Sequence, residues 1–297
     1  MDIVVFGAGS LGSLIGGLLA REHDVTFVGR DPHMQAVRES GLHLGGAFDF
    51  TVHPEAGTTV PTSTDLVVVT VKAFDTEAAA RALADCSADA LLTLQNGMGN
   101  EETLSALLDC PILAGTCTYG AVNPEPGHVY CTGIGDVVLG MPGGGNAPLA
   151  ARVGEAFETA GIVTTVAADM PLRRWEKLAV NAGINPVTAL ARIENGEILD
   201  GPAHELATEA ARETARVAQS LGIDLTEAAA VAAVEAVAAA TAENTSSMFQ
   251  DIRLDRRTEI DAINGYIVAH AGAVPVPVNA SLTNLLKAWE KRHARGA

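Results

Sequence analysis

Lysine is scarce in this 297-residue sequence, which contains four lysines against fifteen arginines. The 36 acidic residues outnumber the 19 basic ones, so the formal net charge is −17. A chain this negative repels phosphate groups, and neither nucleic acid nor an anionic membrane is expected as a partner. The charge is spread along the chain, which predicts an acidic surface suited to high salt, where repulsion between like charges is screened. Two of the lysines, Lys72 and Lys177, lie outside the C-terminal tail, and we expect them to take part in chemistry.

Metal-binding cysteine spacings and long apolar runs are also missing. The four cysteines show neither CxxC spacing nor a paired histidine motif, which indicates no metal site and no disulfide framework. We expect them to be buried, reduced thiols; they are Cys86, Cys110, Cys117 and Cys131. No apolar run reaches the ~18 residues needed to span a bilayer. The first residues, MDIVVFGAG, begin a strand without a basic leader, and we expect a cytoplasmic protein.

A glycine-rich loop follows the first predicted strand. The apolar run over residues 2–6 leads into GAGSLG, and a helical apolar pattern comes next. In a strand–loop–helix unit, GxGxxG permits a tight turn and the close approach of a pyrophosphate, which the helix N-terminus attracts. A purely structural glycine turn is the alternative. We expect the loop to bind a dinucleotide through Gly7, Gly9, Ser10, Leu11 and Gly12.

The end of the second predicted strand bears on which dinucleotide is bound. Residues 24–28 form this strand, and Gly29, Arg30 and Asp31 follow it. An acidic residue here binds the ribose hydroxyls of NAD, whereas an arginine accommodates the 2′-phosphate of NADP. Arg30 therefore favours NADP, and Asp31 keeps NAD open.

Two further predicted strands end close to polar residues. Residues 65–71 lead directly into Lys72, and residues 90–94 are followed by Gln95 and Asn96. Ligands of open parallel sheets bind outside the carboxyl ends of the strands. We therefore expect Lys72 and Asn96 to converge with Arg30 beside the cofactor.

The composition changes near Ala167, where we place a domain boundary. Residues 1–167 predict an α/β domain with a Rossmann-type doubly wound sheet, in which residues 115–140 form hairpins that extend the sheet. Residues 168–297 predict an all-helical domain, with two alanine- and glutamate-rich helices within residues 203–243.

The segment over residues 173–190 carries polar side chains in an apolar setting. Lys177, Asn181 and Asn185 recur every four residues and would share one face of a helix. Pro186 disfavours helical geometry at the residue before it, so the stripe should end there in a kink or cap. A solvated helix face is the plain alternative, but uncharged amides among apolar neighbours favour a binding site.

A second polar cluster covers residues 244–265. Asn244, Ser247 and Asp251 are three and four residues apart, and Glu259 lies among isoleucines that form an apolar helical stripe. The arginines and aspartates of this segment are expected to form surface ion pairs. Glu259 could be a further member of that network, which is the alternative to a role in binding.

Together these segments resemble the ketopantoate reductase (2-dehydropantoate 2-reductase) family over essentially the whole chain. The matching motifs are GAGSLG, VKAFDT, LQNGMGN, WEKLAVNAGINP and SSMFQDIRLDRRTEIDAINGYIV. The resemblance implies a Rossmann domain, a helical domain and a cleft between them. It also implies NADPH-dependent reduction of 2-dehydropantoate to pantoate, in the pathway to pantothenate and coenzyme A.

The resemblance further implies a role for each matching residue. The family's general acid matches Lys177, and the glutamate that holds the substrate hydroxyl matches Glu259. Lys72 and Asn96 match residues beside the cofactor and the reacting carbonyl. The residues that bind the substrate's polar groups match Asn181, Asn185, Asn244 and Ser247. No metal is implied.

Three other readings remain open at this point. The chain could reduce a different 2-oxo acid, or it could be a 3-hydroxyacid dehydrogenase of the 6-phosphogluconate dehydrogenase type. The segment around Glu259 argues against the second of these. A non-catalytic NADP sensor would keep the glycines but has no need of Lys177 together with Glu259. The sequence also leaves homodimer formation open.

Overall fold

The computed structural model describes residues 1–293, and the chain divides into two compact units. The N-terminal unit comprises Met1–Gln95 and Asn100–Met170. The helical unit comprises Asn96–Gly99 and the chain from Pro171 onward. The boundary expected near Ala167 falls shortly before Met170. The short excursion of residues 96–99 into the helical unit has no counterpart in the predicted division.

The N-terminal unit consists of strands with helices between them. Its strands are β1 (Asp2–Phe6), β2 (Asp24–Val28), β3 (Leu42–Gly46), β4 (Phe50–Val52), β5 (Glu55–Gly57), β6 (Ser63–Val69), β7 (Ser87–Thr93), β8 (Ile112–Cys117), β9 (Gly120–Val122), β10 (His128–Gly133), β11 (Val137–Gly140) and β12 (Thr164–Val166). Its helices are α1 (Ser10–Leu19), α2 (His33–Ser40), α3 (Thr76–Leu83), α4 (Asn100–Ser105) and α5 (Pro148–Thr159), with a 3₁₀ turn at Ala73–Asp75.

The larger sheet has eight strands in the order β12-β11-β8-β7-β6-β1-β2-β5. All its pairs are parallel except β11 with β8. Phe6 of β1 is in register with Val28 of β2 on one side and Val69 of β6 on the other. The order of strands therefore reverses at β1, and the chain that leaves β1 enters the glycine loop. A reversal of this kind is where doubly wound sheets bind ligands.

Residues 115–140 follow the sequence prediction only in part. β8 and β11 pair antiparallel within the large sheet, as a hairpin extension requires. β9 and β10 pair antiparallel as a hairpin, but they join β3 and β4 in a separate sheet with the order β4-β3-β10-β9, so the prediction is wrong for the sheet that this hairpin extends. The second sheet packs on α1, where Leu44 of β3 and Val129 of β10 are buried. Pairing between strands this far apart in the chain leaves no local signal in the sequence.

The helical unit contains six helices within the described chain. They are α6 (Met170–Ala191), α7 (Gly201–Ser220), α8 (Glu227–Ala240), α9 (Ser247–Arg253), α10 (Asn264–His270) and α11 (Pro277–His293), with a 3₁₀ turn at Asn195–Leu199. Small residues let α6 and α7 approach closely. A Cβ atom on Gly183 would lie 2.8 Å from the carbonyl oxygen of Ala207, so even alanine would force the two helices apart.

The predicted end of the polar helix at Pro186 is wrong, because α6 continues through this proline to Ala191. Proline has no N–H group, so the carbonyl of the residue four positions earlier, Ala182, loses its helical donor. In this structure the side-chain amide of Asn264 donates to that carbonyl at 3.1 Å. A hydrogen bond from a residue distant in sequence thus replaces the one that proline removes. The prediction of a helix end at Pro186 considered only the lost bond.

The helical stripe predicted around Glu259 is also wrong. Helix occurs on either side of this residue, in α9 and α10, but Glu259 lies in the irregular turn between them. The carboxylate of Glu290 accepts hydrogen bonds from the backbone N–H and the hydroxyl of Thr258, at 2.7 and 2.6 Å. These bonds occupy groups that a continuous helix would use. Ile260 and Ile263 are nevertheless buried, so the apolar pattern correctly identified core positions.

The surface network predicted for the same segment needs a correction as well. Asp251 is buried, so it does not lie on the surface where the network was predicted. The guanidinium of Arg253 lies over the ring of Phe249, 5.8 Å from its centre. Arg257 pairs with Asp261 at 3.8 Å, on the exposed side of the turn.

The cysteines also differ from expectation. All four are free thiols, but only Cys117 and Cys131 are buried, whereas Cys86 and Cys110 are half-buried. Burial raises the pKa of the Cys86, Cys110 and Cys131 thiols, which keeps them in the less reactive thiol form.

Among the helices of residues 1–293, none combines the length and apolar character needed to cross a membrane.

Candidate functional site

Two glycines of the loop after β1 are required by the protein's own packing. Gly7 has a φ of +105°, and a Cβ there would lie 2.7 Å from the backbone nitrogen of Val71. A Cβ on Gly12 would lie 2.3 Å from the carbonyl oxygen of Gly7. The loop is further held by a hydrogen bond from the Gly7 N–H to the carbonyl of Val28, at 2.9 Å. These contacts fix a tight turn directly beneath the start of α1.

Gly9 has neither of these structural reasons to be glycine. Its φ of −79° is open to any residue, and apart from its chain neighbours no described atom lies within 4 Å of where a Cβ would be. Gly9 is exposed and precedes α1, for which no side-chain cap is present in the described chain. The first turn, with Ser10 and Leu11, therefore offers its N–H groups to a ligand. A pyrophosphate lying against Gly9 accounts for the glycine, so the loop fits a dinucleotide.

A half-buried histidine supports this loop from behind, and the sequence analysis missed it. The hydroxyl of Ser13 donates to the carbonyl of Ala8 at 3.3 Å and lies 3.0 Å from Nε2 of His33. The N–H of Gly127 donates to Nδ1 of His33 at 3.0 Å, so the ring proton must be on Nε2. Burial, and to a lesser degree His128, lowers the pKa of His33 and keeps the ring neutral. A serine within an otherwise apolar helix was the available signal.

Arg30 and Lys72 follow β2 and β6, the two strands that flank β1, and both contact Asp75. The Arg30 side chain is 89% exposed and pairs with Asp75 at 3.2 Å. Asp75 closes the 3₁₀ turn that starts at Lys72, through its N–H to the Lys72 carbonyl at 2.8 Å. Asp31, which kept NAD open, pairs instead with Arg38 at 3.5 Å. Because β1 and β2 are parallel, Arg30 and the glycine loop lie at the same end of the sheet.

Asn96 belongs to the helical unit, where its loop packs against the turn that carries Glu259. The N–H of Met98 donates to the carbonyl of Ala262 at 2.9 Å. Gly97 has a φ of +82°, and a Cβ there would lie 2.5 Å from the same carbonyl oxygen. The loop therefore requires glycine at position 97 for two reasons. Its predicted convergence with Lys72 stays a prediction.

The polar stripe of α6 lies beside the same loop. Lys177 and Asn181 are half-buried and Asn185 is buried, as a binding stripe requires and a solvated face does not. The indole of Trp175 meets the ring of Tyr266 edge-on, with centres 6.1 Å apart. The same Tyr266 ring lies 3.7 Å from where a Cβ on Gly99 would be, and so links the start of α6 to the Asn96 loop.

The two adjacent serines at the start of α9 have different roles. Ser246 is buried and caps the helix, accepting a hydrogen bond from the N–H of Phe249 at 3.1 Å. Its hydroxyl also lies 2.7 Å from the hydroxyl of Thr188 on α6. Ser247 occupies the first position of the helix and is exposed, so it is the serine available to a ligand.

Asn244 is also exposed, and a buried asparagine holds its backbone. The N–H of Asn195 donates to the carbonyl of Asn244 at 2.9 Å, and its side-chain amide donates to the hydroxyl of Thr241 at 3.0 Å. Asn244 precedes α9 and does not share a helix with Ser247, so their three-residue spacing reflects a turn. Hydrogen bonds and ring contacts thus connect the segments that carry all the predicted site residues of the helical unit.

The predicted site residues of this unit are the ammonium group of Lys177, the buried carboxylate of Glu259, several amides and a hydroxyl. Such a set can bind a polar molecule that has both a carboxylate and a hydroxyl, and can supply a proton to it. Within residues 1–293, no group of three or more histidine, cysteine, aspartate or glutamate side chains could hold a metal ion.

A parallel sheet with a glycine loop at its switch point, followed by a helical unit, defines a dinucleotide-dependent oxidoreductase of the Rossmann type. The family model described as "Ketopantoate reductase PanE/ApbA" matches residues 3–144, and the model of its C-terminal domain matches residues 169–290. This chain belongs to the ketopantoate reductase family, which uses NADPH.

Relatives from archaea are similar over nearly the whole chain. The 2-dehydropantoate 2-reductase of Halobacterium salinarum is 42% identical over 97% of this chain and 98% of its own length. The enzyme of the same name from Archaeoglobus fulgidus is 38% identical, over 97% of each chain.

Solved structures share the fold. A ketopantoate reductase of this family from Ralstonia eutropha superposes with a TM-score of 0.90 and 30% identity, covering 99% of this chain and 100% of its own. A D-mandelate dehydrogenase in complex with NADH and anilino(oxo)acetate superposes with a TM-score of 0.91 and 25% identity, covering 98% of each chain.

Proposed function

We propose that this protein reduces 2-dehydropantoate to pantoate with NADPH, a step in the formation of pantothenate and coenzyme A. Residues 1–167 would bind the dinucleotide and residues 168–297 the oxo acid. The observation that carries the proposal is the arrangement within the helical unit. There, the loop of Asn96 packs against the turn of Glu259, beside the helix that bears Lys177.

Lys177 acts as the general acid of the proposed reaction. Reduction requires a hydride at the carbonyl carbon, which NADPH supplies when bound. Negative charge then grows on the carbonyl oxygen, and the ammonium of Lys177 stabilises it and donates the proton. The half-buried position of Lys177 strengthens this effect, because charges interact more strongly where water is excluded.

Glu259 and the amides orient the oxo acid. The buried carboxylate of Glu259 accepts a hydrogen bond from the substrate hydroxyl. The carboxylate of the substrate is bound by neutral donors, which avoid adding a second negative charge nearby. These donors are Asn181, Asn185, Asn244 and Ser247. Asn96, whose loop packs against the turn of Glu259, would bind the reacting carbonyl of the oxo acid.

Arg30 selects the cofactor, and Lys72 follows β6, on the other side of β1. The ion pair of Arg30 with Asp75 is largely exposed and contributes at most about 1 kcal/mol. A 2′-phosphate carries more charge than one carboxylate and would take the place of Asp75 at the guanidinium. Gly7, Gly9, Ser10, Leu11 and Gly12 would hold the pyrophosphate.

A second candidate is the reduction of another 2-oxo acid with NADH. It is favoured by the D-mandelate dehydrogenase, whose structure with NADH and an oxo acid analogue matches this fold over nearly the whole chain. Asp31 on the loop after β2 is the residue that would serve the ribose of NADH.

Initial rates with purified protein distinguish these functions. NADPH or NADH is mixed with 2-dehydropantoate, an unbranched 2-oxo acid or an aromatic 2-oxo acid, each in low and high salt. The proposal predicts the highest kcat/KM for NADPH with 2-dehydropantoate. Faster turnover of an aromatic acid with NADH would establish the second candidate, and no turnover of any pair would reject both.

We also propose a cytoplasmic location. The four free thiols support it, because disulfides are rare in reducing compartments. Homodimer formation stays a prediction.

A further inference from the structure

The proline within α6 leaves one backbone group that the helix itself cannot satisfy. Pro186 has no N–H, so the carbonyl of Ala182 has no donor within the helix. Ala182 is fully buried, which keeps solvent from taking the donor's place. An unpaired carbonyl in this position would allow α6 to bend or open, and it lies between Asn181 and Asn185.

Asn264 supplies the missing donor from the first turn of α10. Its Nδ2 lies 3.1 Å from the Ala182 carbonyl oxygen and 2.9 Å from Oδ1 of Asn279. The two hydrogens of this amide are therefore both used. Within residues 1–293 the Oδ1 atom of Asn264 has no hydrogen-bond partner, so this side chain acts only as a donor.

A buried carboxylate fixes the direction of this amide. Oε2 of Glu213 lies 2.7 Å from Nδ2 of Asn279, and the same Nδ2 donates to the carbonyl of Ala210 at 3.0 Å. Both bonds require the amide nitrogen of Asn279 to face α7, which leaves its oxygen facing Asn264. Asn264 must then direct its amide nitrogen towards that oxygen. The second hydrogen of this nitrogen is donated to the carbonyl of Ala182.

Glu213 is itself anchored at the start of α11. Its carboxylate accepts the N–H groups of Val278 at 2.9 Å and Asn279 at 2.9 Å. Negative charge is stabilised at a helix N-terminus, where such N–H groups have no intrahelical acceptor. The chain of bonds therefore connects three helices, α7, α10 and α11, to a single carbonyl of α6.

We propose that Asn264 is a positioning residue for the oxo acid site, and that it holds α6 in place at Pro186. Asn264 does not touch the substrate. It acts through the backbone of α6, and so through the side chains at 177, 181 and 185. This inference rests on the proposed function for its catalytic consequence, but not for its effect on the helix.

A double-mutant cycle between Asn264 and Pro186 tests the inference. Asn264→Ala removes the donor, and Pro186→Ala restores a backbone N–H that can bond Ala182 from within the helix. We expect Asn264→Ala to lower kcat/KM for the oxo acid at least tenfold in the native background and at most about twofold in the Pro186→Ala background. The KM for NADPH should stay within twofold. Equal losses in both backgrounds would overturn the inference.

Hydrogen exchange of the backbone amides of residues 183–190 reads the helix without substrate. Exchange should accelerate in Asn264→Ala and return towards the wild-type rate when Pro186→Ala is added. Unchanged exchange, or accelerated exchange without loss of kcat/KM in an active enzyme, would refute the positioning role. If the wild type reduces no 2-oxo acid, the proposed function fails separately and the exchange cycle alone decides whether Asn264 holds α6.

Thr208→Val is the matched control. It removes a buried hydroxyl that donates to the carbonyl of His204 within α7, so it lowers stability without removing a hydrogen bond to α6. Assays are run well below the lowest melting temperature of the set. Should Asn264→Ala not fold, Asn264→Ser replaces it, since a serine hydroxyl keeps the site polar but is too short to span the gap to Ala182. A similar kinetic loss in Thr208→Val would mean that general destabilisation explains the effect.

Discussion

Lys177 and Glu259 differ in when their interactions with the substrate form. If Lys177 neutralises charge that exists only in the transition state, Lys177→Ala should lower kcat by about 10²–10³ and leave NADPH binding nearly intact. Glu259 would hold a hydroxyl present in ground and transition states alike. Glu259→Ala should therefore chiefly raise the KM for the oxo acid, by an amount that corresponds to a loss of about 1.5–3 kcal/mol of binding free energy. Steady-state kinetics with each substrate varied would separate the two effects.

A substrate analogue without the hydroxyl sharpens this test. It should be a poor substrate for the wild type and be barely further impaired by Glu259→Ala. The matched control is Lys287→Ala, which removes an exposed lysine paired with Asp261 at 2.5 Å and should retain wild-type rates. Near-normal turnover by Lys177→Ala, or full discrimination between the two substrates by Glu259→Ala, would contradict the assignments.

Arg30 should decide the preference between cofactors. Arg30→Asp removes the cation proposed for the 2′-phosphate and places a carboxylate where it can serve a ribose hydroxyl. We expect the ratio of kcat/KM for NADPH to that for NADH to fall by at least tenfold. The preference for NADPH over NADH should also become smaller at high ionic strength, because salt screens an exposed ion pair. Arg81→Ala, which removes an exposed arginine paired with Glu77, is the control, and a wild-type preference for NADH would disprove the assignment.

At the scale of elements, the contact of α1 and α2 through His33 makes the nucleotide loop sensitive to acid. The pKa of His33 lies below its ordinary value of 6.5 in the folded protein, so the unfolded chain binds a proton first. The stabilising contribution is complete above pH 6.5 and is lost as the pH falls through the folded pKa. Protonated His33 can no longer accept the N–H of Gly127, which loosens the support of Ser13 and the loop.

The prediction is that His33→Gln reduces the loss of thermal stability between pH 7.5 and pH 5. The amide of glutamine can accept from Gly127 and donate to Ser13 as neutral histidine does, but it does not titrate. Melting temperatures at both pH values would provide the comparison, with His53→Gln as the control for a histidine outside this network. An equal pH-dependent loss in wild type and His33→Gln would show that His33 is not the titrating group.

The elements that the sequence predicted well are those specified by local pattern. The strands around the glycine loop and the two alanine-rich helices appear close to their predicted bounds, because hydrophobic periodicity and glycine spacing determine them. Where α6 continues past Pro186 and where the chain turns at Glu259, the backbone is bonded by Asn264 and Glu290, which lie far along the chain. Long-range polar contacts of this kind leave no periodic signal. The same limit hid the support that His33 gives to the nucleotide loop.

For the molecule as a whole, the net charge of −17 predicts a strong response to salt. Because acidic residues outnumber basic ones, screening weakens the repulsion between carboxylates in the compact state more than it weakens the exposed ion pairs. We expect the melting temperature to rise between 0.1 and 2 M KCl, by roughly 2–4 °C for each kcal/mol of stability gained. Differential scanning calorimetry at several salt concentrations would measure it. A flat or falling melting temperature would show that charge repulsion does not limit stability.

Residues 96–99 belong to the helical unit although they precede it in the sequence, and this affects how the protein can be truncated or recombined. These residues are encoded within the N-terminal half, yet their contacts are with Ala262 and Tyr266, which are encoded near the end. A fragment that stops at Met170 would leave Met98 without its core, and a fragment that starts at Pro171 would lack the loop altogether. Truncation and domain-swap libraries cut at the apparent boundary would therefore break one folding unit in two. Shuffling among relatives must exchange residues 96–99 together with the C-terminal half.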